Sequence, residues 1–370
     1  MKFVKLLAMT LFIALIVNCT KKEEVKTYGQ YEENGVKITK NNGIPADTSF
    51  SIELKEVGFI DLENVEDSLQ FVESASGFNF DKDGNLYFID RKKHRIHKYD
   101  KNGNFVTAFG RKGKGPGEFF IPGGFNVRQD TIFVSNWSSL KLIKFDLDGN
   151  YLDADKTYKS RDEFASYPVK FGSDYISSST SNRFDEGTKE EFMINEITLY
   201  DSKFDFVKHL YKIEYPFSRD KEQDPYAKGA LSAFSDNEVY ISEKSKNVYK
   251  IDVYDKDGKK LREIRKNYAQ LRVSEEKAKK VAEQGAEYGM KWKVVYKNSV
   301  NWMLIDKYNR LFVNSSVNEE EEGIYCDVFE NGIFQKRVKI EVEEGYFPSF
   351  VGDKIVAVNG DNNNIKIYEY

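Results

Sequence analysis

From about residue 77 the chain is written in short apolar runs, each alternating one residue in and one residue out, with turn dipeptides between them. Residues 77–110, GFNFDKDGNLYFIDRKKHRIHKYDKNGNFVTAFG, hold four such runs and three turns. Alternation with a period of two is the signature of a half-buried β-strand. Asp83-Gly84 and Asn102-Gly103 are dipeptides suited to a two-residue type I′ turn, whose central residues both take positive φ. One four-stranded antiparallel sheet is predicted here.

The same scheme recurs along the chain. Residues 123–158 repeat it with Asp148-Gly149, residues 231–265 with Asp257-Gly258, and residues 301–340 with Asn331-Gly332. The copy at 169–211 has a longer middle loop, SSSTSNRFDEGTKEEF, and no glycine in its YDSKFDF turn. Tyr99, Phe145, Tyr200, Tyr254, Phe329 and Tyr368 mark the third strand of each copy. Their spacing scatters around the 40 to 50 residues expected of propeller blades. The fold class is therefore all-β, a six-bladed β-propeller over residues 49–370.

The last copy, FPSFVGDKIVAVNGDNNNIKIYEY, supplies only three strands. An open edge invites aggregation, so the missing outer strand is assigned to FSIELKEVGFIDL near the N-terminus, closing the ring. One inserted helix is predicted near 274–288. Ser274 suits its N-cap, Glu275 and Glu276 its first turn, and Ala278, Val281, Ala282 and Ala286 an apolar stripe. Docking on its own domain is favoured over binding a partner.

Composition adds a compartment. Residues 1–18 carry two lysines and then an apolar run from Leu6 to Val17, too short to span a bilayer and suited to a signal peptide. Residues 19–48 are polar and charged, which predicts a flexible tether. With Cys19 next after Asn18 at the end of the signal segment, only Cys326 remains for the folded body, so no internal disulfide can form there. Cys326 lies in the alternating run GIYCDVF and reads as a buried hydrophobe. The net charge of −4 argues against nucleic acid as a partner.

Two resemblances follow from these residues. The apolar core followed by Cys19 resembles the lipobox of bacterial lipoproteins, which implies lipidation of Cys19 and attachment to a membrane. In GRKGKGPGEF, Gly113, Gly115, Pro116, Gly117 and Phe119 resemble the interblade loop of NHL-type β-propellers. That likeness implies a binding or scaffolding module, in a family that recognises proteins, nucleic acids and carbohydrates and includes some enzymes. The whole resembles a propeller lipoprotein of bacterial envelopes.

Chemistry-bearing motifs are few. DKDGN at 81–85, DLDGN at 146–150 and DKDGK at 255–259 place glycine fourth, not sixth, and lack the twelfth-position Glu of a calcium loop. His94 and His97 fall three apart in one strand, on opposite faces, and no zinc site is assigned. There is no Gly-x-Ser-x-Gly elbow and no local base for Cys326. No catalytic residue, metal or cofactor is assigned. An enzyme acting on a sugar or lactone, as hydrolase or lyase, with ligands gathered around the central channel, remains the alternative.

Topology sharpens one point. In a four-stranded blade the turn between strands two and three shares a face with the crossover to the next blade. Arg91, Lys92, Lys93 and Arg95 should therefore meet Arg111, Lys112 and Lys114 on one rim, joined by Trp137 from the next blade. Basic side chains beside an aromatic suit an anionic surface. NEEEEG at 318–323 falls nearly opposite, and a rim of two signs orients a dipolar protein better than a polyanion. The expected partner is an envelope protein, with a glycan or small molecule as the other ligand class.

Overall fold

A computed structural model describes residues 26–63, 70–153, 155–318, 323–361 and 364–370. The predicted signal peptide and Cys19 lie outside the described residues. The chain opens with β1 (Tyr28–Glu33), β2 (Val36–Asn41) and β3 (Lys55–Asp61). Blade one follows as β4 (Ala75–Phe80), β5 (Leu86–Asp90), β6 (Arg95–Tyr99) and β7 (Phe105–Phe109). Blade two is β8 (Pro122–Arg128), β9 (Thr131–Asn136), β10 (Lys141–Asp146) and β11 (Lys156–Thr157). Blade three is β12 (Val169–Phe171), β13 (Asp174–Asp185), β14 (Glu190–Tyr200) and β15 (Phe206–Phe217).

Blade four comprises β16 (Ala230–Phe234), β17 (Glu238–Glu243), β18 (Tyr249–Asp255) and β19 (Lys260–Lys266), and is followed by α1 (Glu275–Glu287). Blade five is β20 (Val300–Ile305), β21 (Leu311–Ser315), β22 (Ile324–Glu330) and β23 (Ile333–Ile340). Blade six is β24 (Tyr346–Val351), β25 (Lys354–Asn359) and β26 (Asn364–Glu369), completed by β3. The six-bladed propeller and its closure by an N-terminal strand are as expected: β3 pairs antiparallel with β26, Asp61 facing Asn364 and Lys55 facing Glu369.

The core is divided among the contacts between blades. Ile60, Phe78, Phe88 and Val356 join blades six and one. Ile89, Phe119, Phe125 and Ile143 join one and two, and Tyr249, Ile251, Leu311 and Phe329 join four and five. The third-strand aromatics are part of this packing: Tyr99, Phe145, Tyr200, Phe329 and Tyr368 are buried. Cys326 is buried between blades five and six, and burial pushes its thiol up to about 12.

The hairpin turns differ from the type I′ expectation. At Asp83-Gly84, Asn102-Gly103, Asp148-Gly149 and Asp257-Gly258 only the glycine has positive φ, between 79° and 87°. Instead, an aspartate three residues before that position organises a longer turn. Asp81, Asp100, Asp146, Asp201, Asp255 and Asp306 each accept the backbone N–H groups two and four residues on, at 2.8 to 3.0 Å. Phe204 (φ 63°) takes the glycine position in the Asp201 turn, where its ring is buried and stacks on Tyr175 at 3.9 Å. Only Asn331-Gly332, at 51° and 81°, among the five predicted dipeptides has both central residues at positive φ.

Three other expectations are corrected. Residues 28–41 are not a flexible tether: β1 and β2 form a hairpin whose second strand runs parallel to β19, widening blade four to six strands. From there residues 42–54 cross blade five, with Ala46 N–H donating to Phe334 O at 3.0 Å, so the segment straps blades four, five and six. The long loop of blade three is also strand, paired from Tyr175↔Tyr200 to Asp185↔Glu190. Its exposed stretch lacks apolar alternation because neither face meets a core. Finally, α1 has Ser274 as N-cap but buries Val281 and Gly285, leaving Ala282 and Ala286 exposed. Gly285 permits this because Trp292 packs where a Cβ would stand.

The aspartate turns are testable. Asn150 and the turn N–H groups hold the Asp146 carboxyl below its usual value of 3.8. Its contribution is therefore complete above the unfolded pKa and lost as pH falls through the lower folded value. Asp146→Ala should cost about 1 kcal/mol in urea unfolding at neutral pH and Asp146→Asn less, since an amide oxygen still accepts. Equal stability of all three proteins at pH 7 would overturn the role of this carboxylate.

Candidate functional site

The first strands of the blades surround the axis, with β4 neighbouring both β8 and β24, and β16 neighbouring β20. Crossovers and the turns between second and third strands share one face, as expected. On it, blades one and two bring the two predicted basic loops together. Arg91 donates to the carbonyl of Pro122 and, at 3.2 Å, to that of Gly123. His94 Nε2 bonds Phe120 O at 2.8 Å, and Trp137 N–H donates to Ile121 O at 2.9 Å.

The end of each second strand fixes these loops. Asp90 is fully buried and its carboxylate accepts the N–H groups of Glu73, Lys92 and Lys93. Asn136 occupies the matching place in blade two and accepts from Phe120 and Ile121 at 3.3 Å. Buried acceptors are thus spent on loop backbone, as buried polar groups must be.

The glycine-rich loop is wrapped around Glu118, the residue of GPGEF that carries no part of the interblade-loop resemblance. Its carboxylate accepts from Gly115 N–H at 2.9 Å and from Arg111 Nε at 2.6 Å. An added Cβ at Gly113 would collide with the same carboxylate. These donors, the Gly115 N–H first, hold the Glu118 pKa below its usual value. Phe119 is completely buried between blades one and two, against Gly110. The glutamate within GPGEF was the available signal.

The predicted cations therefore separate into two groups. Arg91 and Arg111 are engaged as described, and Lys93 pairs with Glu73 while lying 4.9 Å from the Phe71 ring centroid. Arg95 is half-buried in β6. Lys92, Lys112 and Lys114 are exposed, with Lys112 over the Phe120 ring at 4.9 Å. Trp137 is half-buried, packed edge-on against Phe164. Glu319–Glu322 of the expected acidic counterpart lie outside the described residues.

Nearer the axis, Tyr167 from the crossover between blades two and three lies against Gly124 of the inner strand β8. Burial pushes its phenol up, while Asn79 of β4 and Arg91 act in the opposite direction. Gly123 is likewise covered by the Trp137 indole. The PGGF sequence thus admits two rings from two different loops onto an inner strand, a function of missing side chains that no local pattern reveals. The two histidines of blade one part company: His94 faces the rim, while His97 is buried, stacked on Phe88, and burial lowers its pKa to about 4.

This geometry defines a propeller with a loop face whose cationic and aromatic groups cluster at blades one and two. The chain belongs to the 6-bladed beta-propeller family, whose profile matches residues 28–217. No curated protein matches it. Among solved structures, a Bacteroides fragilis protein described as a candidate for export is similar at 15% identity and TM-score 0.52, covering 89% of this chain and 97% of its own. A Bacteroides vulgatus protein gives 14% identity and TM-score 0.49, with 86% and 97% covered. Virginiamycin B lyase from Staphylococcus aureus gives 10% and 0.39, with 86% and 99% covered. At such identities the likeness concerns the fold alone.

Removal of the Glu118 carboxylate should loosen its loop. In limited trypsin digestion, Glu118→Ala should be cleaved after Lys112 and Lys114 several times faster than the parent protein. Unchanged cleavage at those two sites would show that the carboxylate does not order the loop.

Proposed function

We propose that this protein is an exported, lipid-anchored propeller of the NHL type that binds a protein partner in the bacterial envelope through the loop face of blades one and two. The observation that carries this reading is the composition of the surface left after internal pairing. Phe71, Phe120 and Ile121 are 40–51% exposed, Lys112 lies over the Phe120 ring and Lys93 over the Phe71 ring, and Lys92 and Lys114 are exposed in the same two loops. Exposed aromatic and aliphatic groups rimmed by cations are the ingredients of a protein interface, and their backbone is held in place before any partner arrives.

Arg91 and Arg111 act here as positioning groups, and the contact itself falls to the three exposed lysines and to Phe120. The export signal and Cys19 support anchorage, since acyl chains contribute about 0.8 kcal/mol per buried CH₂.

Two measurements check this. The combined variant Lys92→Glu, Lys112→Glu, Lys114→Glu, Phe120→Ser should fold normally yet lose a protein that co-purifies with the parent from detergent-solubilised envelopes. Retention of that protein would remove this face from consideration. Cys19→Ala should move the protein from the membrane to the soluble fraction, and an unchanged distribution would overturn the anchor.

A further inference from the structure

The hairpin β1–β2 shortens the connection between anchor and body. Only six residues, 20–25, separate Cys19 from Lys26. At most about 3.6 Å per residue, seven Cα steps reach about 25 Å. Lys26 is fixed to the body: its carbonyl accepts from Asn42 Nδ2 at 2.9 Å, and Asn42 N–H donates to Thr27 O at 2.9 Å. Asn267 N–H in turn donates to Asn41 O at 2.9 Å. Asn267 begins the crossover from blade four to blade five, the segment that carries α1.

Separate hydrogen bonds tie the crossover down beyond this exit point. Gln270 Nε2 donates to Asn247 Oδ1 at 2.6 Å, Lys297 N–H to Leu271 O at 2.9 Å, and Val273 N–H to Val295 O at 3.0 Å. Val248 and Val295, at these bonds, and Tyr288, at the end of α1, stand 42–62% exposed. Residues 267–299 hold seven Lys and Arg against four Glu, and three of the lysines are paired, Lys279 with Glu283, Lys280 with Glu276 and Lys293 with Glu222. Arg272 and Lys291 of this segment are exposed.

We infer that this corner, where blade four meets blade five, lies on the anionic lipid surface of the membrane that holds Cys19. The inference rests on the anchored reading above and adds an orientation to it. The short connection keeps the corner close to the bilayer. Its cations suit anionic headgroups, and the exposed tyrosine and valines suit the interfacial region. Blades one and two, across the ring, then point away from the lipid.

The test uses the full lipidated chain, reconstituted into vesicles of phosphatidylethanolamine and phosphatidylglycerol that carry a nitroxide on a fraction of the headgroups. One bimane label is placed at Val248→Cys or, as the control across the ring, at Ser138→Cys; Cys326 is buried and stays unlabelled. Quenching at position 248 should exceed that at 138 at least threefold, and adding Arg272→Glu and Lys291→Glu should reduce it. Equal quenching in protein that still floats with the vesicles would overturn the orientation and leave the anchor standing. Protein that does not float would overturn the anchored reading, and the orientation with it.

Discussion

A ring of sheets is held together by the contact that closes it, here the pairing of β3 with β26. Lys55 and Glu369 face each other across it from nearly opposite ends of the chain. Because the entropy of closing a loop grows only by about 0.6 kcal/mol per doubling of its length, closure over the whole domain costs little more than closure over half. What it preserves is larger. Without it the seam of Ile60, Phe78, Phe88 and Val356 between blades six and one would open to water. The strap over blades four and five adds to this constraint, since Asn41, fully buried, bonds both Arg265 O and Gly332 O at 3.0 to 3.1 Å.

The propeller was legible because its repeats carry period-two alternation and a recurring third-strand aromatic, both consequences of seams that must be filled. The β1–β2 hairpin was not, because five of the six β1 residues are exposed and the composition resembles that of a tether. An outer strand added to an existing sheet obtains its order from backbone hydrogen bonds, and these leave little trace in side-chain pattern. The blade-three extension, also ordered by backbone hydrogen bonds, carries no strand pattern for the same reason. Turn chemistry was half legible: the glycines mark the turns, but the aspartate that accepts two N–H groups lies outside the turn dipeptide, and Phe204 shows that burial can replace glycine at positive φ.

The rim was located by topology and misjudged by charge. Counting lysines and arginines along the chain treats each as free, whereas Arg91 binds carbonyls, Arg111 binds Glu118 and Lys93 binds Glu73. Each of these pairs joins segments distant in sequence or folded back on themselves, so only coordinates reveal them. Exposed ion pairs contribute little stability, but they can decide the shape of a loop. Here they set the loop backbone and leave exposed a smaller set of groups, three lysines with Phe71, Phe120 and Ile121.

The two proposed contact regions impose opposite demands on one face, and the six-fold ring reconciles them. A partner approaching blades one and two needs that sector clear of the bilayer. A connection of six residues to Cys19 would hold the junction of blades four and five beside it. Since these sectors lie across the axis from each other, tilting the disc toward the lipid at one edge raises the other. A long flexible leader would lose this relation, because free rotation would present each sector to the membrane in turn. On this reading, the order of β1–β2, which fixes where the leader leaves the body, bears on recognition as much as on stability.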